Sequence, residues 1–229
     1  MFDVKGHNYQ LGRNDIKDEG LANLAYFLRN NTVLEFLDVG ECLIGPSGVN
    51  AIAQTLMQRV NMTLCNGTLC HPDSPIKSGI KTLRLGWNKI KDLGVSYLAN
   101  MLKINNVLEE LDIGHNFAVE IQDVSKRAIT DEGVKLIASA LHNNTSLKKL
   151  VLWSNLIGDE GAIALANALK HNVTTLEYLD LSNNFIGDVG ALALGEALET
   201  YPHMIELDLR GNNIGQVRNP KFRTVHICI

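Results

Sequence analysis

Hydrophobic positions in this 229-residue chain repeat in columns rather than along one unbroken helical or strand period. Between Leu176 and Gly190 the order is Leu176, Leu179, Leu181, Asn184, Ile186, Asp188, Gly190. The same spacing returns at Leu147, Leu150, Leu152, Asn155 and Ile157, and again at Met204, Leu207, Leu209, Asn212 and Ile214. Earlier copies are Leu108, Leu111, Ile113, Asn116, then Ile80, Leu83, Leu85, Asn88, Ile90, and Leu34, Leu37, Val39, Cys42, Ile44. A partial first copy is Tyr9, Leu11, Asn14 and Ile16. Aligned on Leu11, Val39, Leu85, Ile113, Leu152, Leu181 and Leu209, the copies are 28, 46, 28, 39, 29 and 28 residues apart. Four of the six steps agree within one residue, so the two long steps are insertions into a regular array.

Each column predicts a local structure. An alternating pair such as Leu179 and Leu181 marks a short strand with one buried face. The asparagine column puts a side-chain amide where the chain turns inward and backbone groups are left unpaired. Cys42 takes that place in the second copy, a substitution the repeat tolerates, which argues against a metal or catalytic role for it. Beyond the isoleucine, Gly20, Gly48, Gly94, Gly133, Gly161 and Gly190 hold a fixed offset, suggesting a helix start close to a neighbouring backbone. Two residues earlier stand Asp18, Asp92, Asp131, Asp159 and Asp188, with Pro46 in the second copy. Aspartate there is expected to start its own helix by accepting that helix's free N–H groups. Apolar residues then recur at helical spacing, as in Ile163, Leu165, Ala166 and Leu169, predicting helices over 18–29, 47–58, 92–103, 131–141, 159–170 and 188–200. The seventh copy has Arg218 at the glycine position and no helical pattern, so the array is expected to stop there.

This periodicity divides the chain into an array of about seven repeats over 1–215, with insertions at 60–77 and 117–127, and a tail over 216–229. The tail ends Thr-Val-His-Ile-Cys-Ile, whose β-branched character suggests an edge strand that docks on the last repeat as a cap. The segment 1–7 is too short for a preceding helix.

Composition narrows the function classes. With 45% hydrophobic and 20% charged residues and a net charge of −4, the chain reads as an ordinary globular domain. No apolar run approaches the roughly 20 residues needed to cross a bilayer, and the first ten residues lack a secretory pattern. The absence of a lysine/arginine block argues against nucleic acid. Cys42, Cys65, Cys70 and Cys228 are too few and scattered for a disulfide framework, which favours a reducing, cytoplasmic setting. Asn30, Asn61, Asn66, Asn143, Asn144 and Asn172 match Asn-x-Ser/Thr. Four of them (Asn30, Asn143, Asn144 and Asn172) fall at the turn after a helix, where repeat chemistry accounts for them.

A repeat of 28–29 residues with a full helix resembles the ribonuclease-inhibitor-like branch of the leucine-rich-repeat superfamily. The resemblance runs from about Tyr9 to Gly215. It implies an α/β solenoid, or horseshoe, with a parallel β-sheet on the concave face and helices on the convex face. Relatives sharing this repeat include ribonuclease inhibitor, the sensing domains of nucleotide-binding innate-immune receptors, the GTPase-activating protein for Ran, and axonemal and phosphatase-regulating scaffolds. Fold alone does not choose among them.

Strand alternation assigns the residues facing the hollow. The first stripe is Asn8, Phe36, Thr82, Glu110, Lys149, Tyr178 and Glu206, and the second is Gln10, Asp38, Arg84, Asp112, Val151, Asp180 and Asp208. The third is Gly12, Gly40, Gly86, Gly114, Trp153, Ser182 and Arg210, followed on the turn by Arg13, Glu41, Trp87, His115, Ser154, Asn183 and Gly211. Both tryptophans fall here, with Phe36, His115 and Tyr178 nearby, and large aromatics on a rigid wall are the usual anchors of a protein interface. Seven carboxylates against four cations give the face a charge of −3. That favours a protein partner with a basic contact surface through steering. The candidate partner-binding residues are Trp153, Trp87, His115, Tyr178, Phe36, Asp112, Asp180, Asp208 and Arg210.

The chemistry of an enzyme is mostly missing. No P-loop, Gly-x-Ser-x-Gly, His-Glu-x-x-His or dinucleotide fingerprint is present. Neither a cofactor nor a metal is implied, since Cys65, Cys70 and His71 lack a convincing fourth ligand. A non-enzymatic interaction module or scaffold is therefore expected. The resemblance leaves two alternatives. One is a ligand-sensing array related to nucleotide-binding innate-immune receptors. The other is a Ran-type GTPase activator using Arg127, an arginine on a loop just before a helix.

Overall fold

The computed structural model describes residues 6–61, 64–65, 68–69, 79–116, 128–170, 175–215 and 226–228. Along the chain the elements are β1 (Asn8–Gln10), α1 (Lys17–Leu28), β2 (Phe36–Asp38), α2 (Pro46–Asn61), β3 (Leu64–Cys65), β4 (Thr68–Leu69), β5 (Thr82–Arg84) and α3 (Lys91–Leu102). They continue with β6 (Glu110–Asp112), α4 (Asp131–Leu141), β7 (Lys149–Val151), α5 (Asp159–Lys170), β8 (Tyr178–Asp180), α6 (Asp188–Leu198), β9 (Glu206–Asp208) and β10 (His226–Cys228). The six helices start within one residue of where the apolar spacing puts them. Only α2 runs appreciably longer, to Asn61.

One parallel sheet has the order β1-β2-β5-β6-β7-β8-β9-β10. Its register is constant: Tyr9, Leu37, Leu83, Leu111, Leu150, Leu179 and Leu207 lie side by side. Both insertions leave this register undisturbed. The first contains an antiparallel pair, β3 with β4. At the other end β10 pairs parallel with β9. Helices pack on sequential neighbours, from α1 on α2 through α5 on α6. The fold is an α/β leucine-rich-repeat solenoid.

The core is a stack of columns. Leu37, Leu83, Leu111, Leu150 and Leu207 from the strands meet Ile52, Leu98, Ile137, Leu165 and Leu194 from the helices, all fully buried. Burying each such side chain contributes about 2 kcal/mol. The asparagine column closes the strand ends. Asn184 Oδ1 accepts the N–H groups of Asn155 and Ile157 in the preceding repeat, and its Nδ2 donates to the carbonyls of Leu152, Leu181 and Ser182. Asn88, Asn116, Asn155 and Asn212 repeat the motif. Cys42 supplies a weaker version, its thiol donating to the carbonyls of Leu11 and Gly40. Burial pushes that thiol's pKa up, so Cys42 is packed as a structural group.

The aspartate column works differently from the expectation that each residue caps its own helix. Asp131 Oδ1 accepts from Gly158 and Gly161 of the following repeat, and Asp159 Oδ1 accepts from Gly187 and Gly190. Asp92 does the same for Thr130 and Gly133. Each carboxylate therefore caps the next helix, leaving α4 to use Thr130 as its own N-cap. The glycines exist for this contact: a Cβ on Gly161 would stand 2.7 Å from Asp131 Oδ1 and 2.8 Å from Ile157 Cγ2, closer than atoms pack. Sequon asparagine Asn144 is buried, its amide bonded to the carbonyls of Leu102 and Asn105, whereas Asn30 and Asn143 are exposed.

Candidate interaction surface

The sheet face opposite the helices displays the outward residues in the stripes that alternation assigns. Strand pairing aligns Asn8, Phe36, Thr82, Glu110, Lys149, Tyr178 and Glu206 in one row, and Gln10, Asp38, Arg84, Asp112, Val151, Asp180 and Asp208 in the next. The turn after the third row is left-handed in every repeat, with Arg13, Glu41, Trp87, His115, Ser154, Asn183 and Gly211 all at φ between 49° and 71°. Asn183, Gly211 and, less strongly, His115 are residue types that favour that conformation, whereas Arg13, Glu41, Trp87 and Ser154 are not. The constraint comes from the stacked backbone: each of these N–H groups from Arg13 to Asn183 bonds the carbonyl of the third-row residue in the following repeat.

Three candidate residues meet at one place. The rings of Trp87 and His115 stack with centroids 3.6 Å apart, Trp153 lies 5.5 Å from Trp87, and His115 is 5.4 Å from Trp153. His115 Nδ1 is hydrogen-bonded to Ser154 Oγ at 2.9 Å, and burial lowers the imidazole pKa. Gly114 explains the pose of Trp153. Its missing side chain leaves the space into which the indole edge folds, and a Cβ there would overlap Cδ1 and Nε1. Trp153 is half-buried across the sheet rather than among the helices, and Trp87 is 51% exposed.

Two hollows flank this aromatic cluster. One of ≈350 Å³ lies over β7, bounded by Trp153, Tyr178, Val151, Asp112, Asp180 and Asp208 among others. A wider one of ≈630 Å³ lies over β1, β2 and β5, where Gly12, Gly40 and Gly86 leave the sheet bare, with Trp87 and Asp38 at its sides. Asp112 belongs to both. Burial raises the pKa of its carboxyl, against the opposing pull of the Gly114 N–H and Arg84.

Phe36, Asp208 and Arg210 are engaged within the chain, while Tyr178 and Asp180 line the smaller hollow. The Arg84 guanidinium sits over the Phe36 ring, 5.1 Å from its centroid, and bonds Glu110. Phe36 is thus covered by a neighbour rather than joined to the tryptophans. Arg210 clasps Asp208. Burial alone would push the Asp208 carboxyl up, but that clasp and the Arg210 N–H outweigh it and hold the pKa below its ordinary value. The Arg84 contacts escape a reading of single repeats because they run diagonally to neighbouring ones, whereas Asp208 and Arg210 stand two residues apart in one repeat. Adjacent opposite charges one row apart, such as Arg84 and Glu110, are the signal that reveals them. Asp38, Asp112, Asp180 and Asp208 share a second role, each bonding the N–H two residues on and closing the strand end. Arg127 and the rest of the insertion 117–127 lie outside the described residues, as do Cys70 and His71. Among the described residues no helix is long and apolar enough to cross a membrane.

Comparisons with known proteins agree with this architecture. The leucine-rich-repeat family matches residues 10–25, 30–53, 80–99, 143–166, 173–195 and 202–217. Similar proteins of Mus musculus include NACHT, LRR and PYD domains-containing protein 4C, 29% identical over 165 residues, which are 72% of this chain and 14% of that protein. Protein 12 of the same designation is 34% identical over 166 residues, 65% of this chain and 14% of that protein. The chain thus spans about a seventh of the length of these relatives. Among solved structures, leiomodin-1 actin-binding site 2 aligns with a TM-score of 0.49 at 18% identity, covering 87% of this chain and 83% of that one. Matched over more than half its length by the repeat, the chain belongs to the leucine-rich-repeat family.

Proposed function

We propose that this protein is a non-enzymatic interaction module that binds another protein on its concave sheet face, in a cytoplasmic setting. The observation that carries the reading is the cluster of Trp87, His115 and Trp153, half-exposed on a rigid parallel sheet between two hollows. Immobile aromatics give contact area at little entropic cost, and such residues dominate interface energetics. Asp112 and Asp180 beside them, which make no ion pair among the described residues, favour a partner with a basic contact surface.

The test is capture of a partner from cytosolic extract, followed by measurement with the purified pair. Trp153→Ala is expected to weaken that complex more than tenfold, while Leu136→Ala, on the exposed side of α4, leaves affinity unchanged. Equal affinity of wild type and Trp153→Ala moves the interface off the sheet face.

A second reading draws on the similarity to the mouse NACHT, LRR and PYD domains-containing proteins. On it, the chain is a ligand-sensing array working alongside a nucleotide-binding domain. Co-elution of the chain with a recombinant NACHT domain of protein 4C would favour this second reading, and separate elution would count against it.

A further inference from the structure

The hollow over β7 has a chemistry more specific than an acidic face. Its floor is Val151, the one apolar residue in the second row, only 8% exposed. In register beside it stand Asp112 on β6 and Asp180 on β8. Trp153 and Tyr178 complete the walls. Five of the seven charged groups lining the hollow are carboxylates, so an anionic or neutral polar occupant is disfavoured.

Arg84 attracts Asp112 across space, but among the described residues no cation bonds either aspartate. Arg84 makes both of its side-chain bonds to Glu110, and Lys149 stands 3.9 Å from the same carboxylate. Asp112 and Asp180 each bind backbone N–H through Oδ1, which leaves Oδ2 without a hydrogen bond or ion pair among the described residues. Two strand spacings separate them by about 10 Å, so a cation centred over β7 faces each at about 5 Å. Burial of Asp112 strengthens that attraction, because less water screens it.

Resting on the reading that the sheet face binds a protein, we propose that this hollow receives one arginine side chain of the partner. Its methylene stem lies on Val151, and its guanidinium sits beside Trp153 and Tyr178 within reach of the free oxygens of Asp112 and Asp180. Arginine rather than lysine follows from the aromatic walls. A planar guanidinium stacks on ring faces and offers five donors in a fixed fork, whereas an ammonium is a compact, strongly hydrated charge.

The experiment uses the full chain and small probes, so it needs no partner. The two tryptophans give two indole N–H resonances in a nitrogen-15 correlation spectrum, assigned with Trp87→Phe. N-acetylarginine methylamide, its lysine counterpart and its neutral citrulline counterpart are titrated in turn. The arginine probe is expected to shift the Trp153 resonance saturably with a millimolar constant. The lysine probe binds several-fold more weakly and citrulline gives no saturable shift. Asp180→Asn, which keeps the Oδ1 acceptor for the Ser182 N–H, weakens the arginine probe about tenfold. Equal responses to arginine and citrulline, or undiminished binding by Asp180→Asn, overturn the proposal, and parity of lysine with arginine overturns the choice of guanidinium. If the probes fail while Trp153→Ala still loses the captured partner, the arginine site falls and the interface stands. Saturable arginine binding alongside a partner indifferent to Trp153 has the reverse meaning.

Discussion

The turn after the third row is where single residues bear most on function. A left-handed backbone costs an L-residue about 1–2 kcal/mol, least for asparagine and nothing for glycine. Trp87 at φ 58° and His115 at φ 49° hold bulky rings in that conformation, and the ring stack between them offsets part of the cost. His115 also makes this cluster sensitive to pH. Burial against the indoles holds its pKa below the ordinary 6.5, so the unfolded chain binds a proton more readily than the folded one. Stability from this group is therefore present above about pH 6.5 and declines as pH falls through the depressed folded value. Guanidinium unfolding of wild type and His115→Gln between pH 7.5 and 5.5 isolates the effect from the other histidines. The wild type's advantage over the variant should shrink as pH falls. A constant difference would show that the imidazole is not desolvated by its neighbours.

At the scale of the helices, the aspartate column turns capping into a link between repeats, and its one gap makes the link visible. Pro46 occupies that column in the second repeat, so nothing there reaches forward to α3. Lys91, at the start of α3, has φ 59°, and α3 has no side-chain cap. Where the carboxylate is present, the equivalent residue is extended, with Thr130 at φ −116° and Gly187 at −97°. Pro46→Asp should supply the missing acceptor, release Lys91 from the left-handed region and stabilise the chain by about 1 kcal/mol. A rise in the denaturation midpoint with unchanged slope is the expected readout. A fall would mean that the fixed φ of Pro46 at the first turn of α2 matters more than the bond it precludes. The sequence disclosed the elements and the facing rows because leucine spacing reports burial directly. It did not disclose the direction of the aspartate bonds, since a residue at a helix start looks the same whichever helix it caps. The cover over Phe36 escapes the sequence for a related reason: Arg84 reaches it diagonally from the next repeat, a contact that no single repeat contains.

The whole molecule behaves as a stack in which each repeat is held by the one beside it, and the two insertions test how strictly. Strands β6 and β7 pair in the common register although their anchors are 39 residues apart. Asn116 sits buried in the asparagine ladder on one side of the second insertion, and Ala128 and Ile129 are fully buried on the other. Ile129 O accepts the N–H of Leu156, as Ile157 O accepts that of Phe185 and Ile186 O that of Asn213, so the repeat is intact on both sides. Deleting residues 117–127 joins Asn116 to Ala128-Ile129-Thr130-Asp131, matching the spacing of Asn155-Leu156-Ile157-Gly158-Asp159. The shortened chain should fold with a stability within about 1 kcal/mol of the parent, because closing a shorter loop costs slightly less entropy. Circular dichroism and urea unfolding measure this directly. A loss of several kcal/mol would show that the insertion packs as part of the array. With the fold retained, loss of partner affinity in the shortened chain would place the insertion at the rim of the interface beside His115. Unchanged affinity would confine recognition to the sheet face itself.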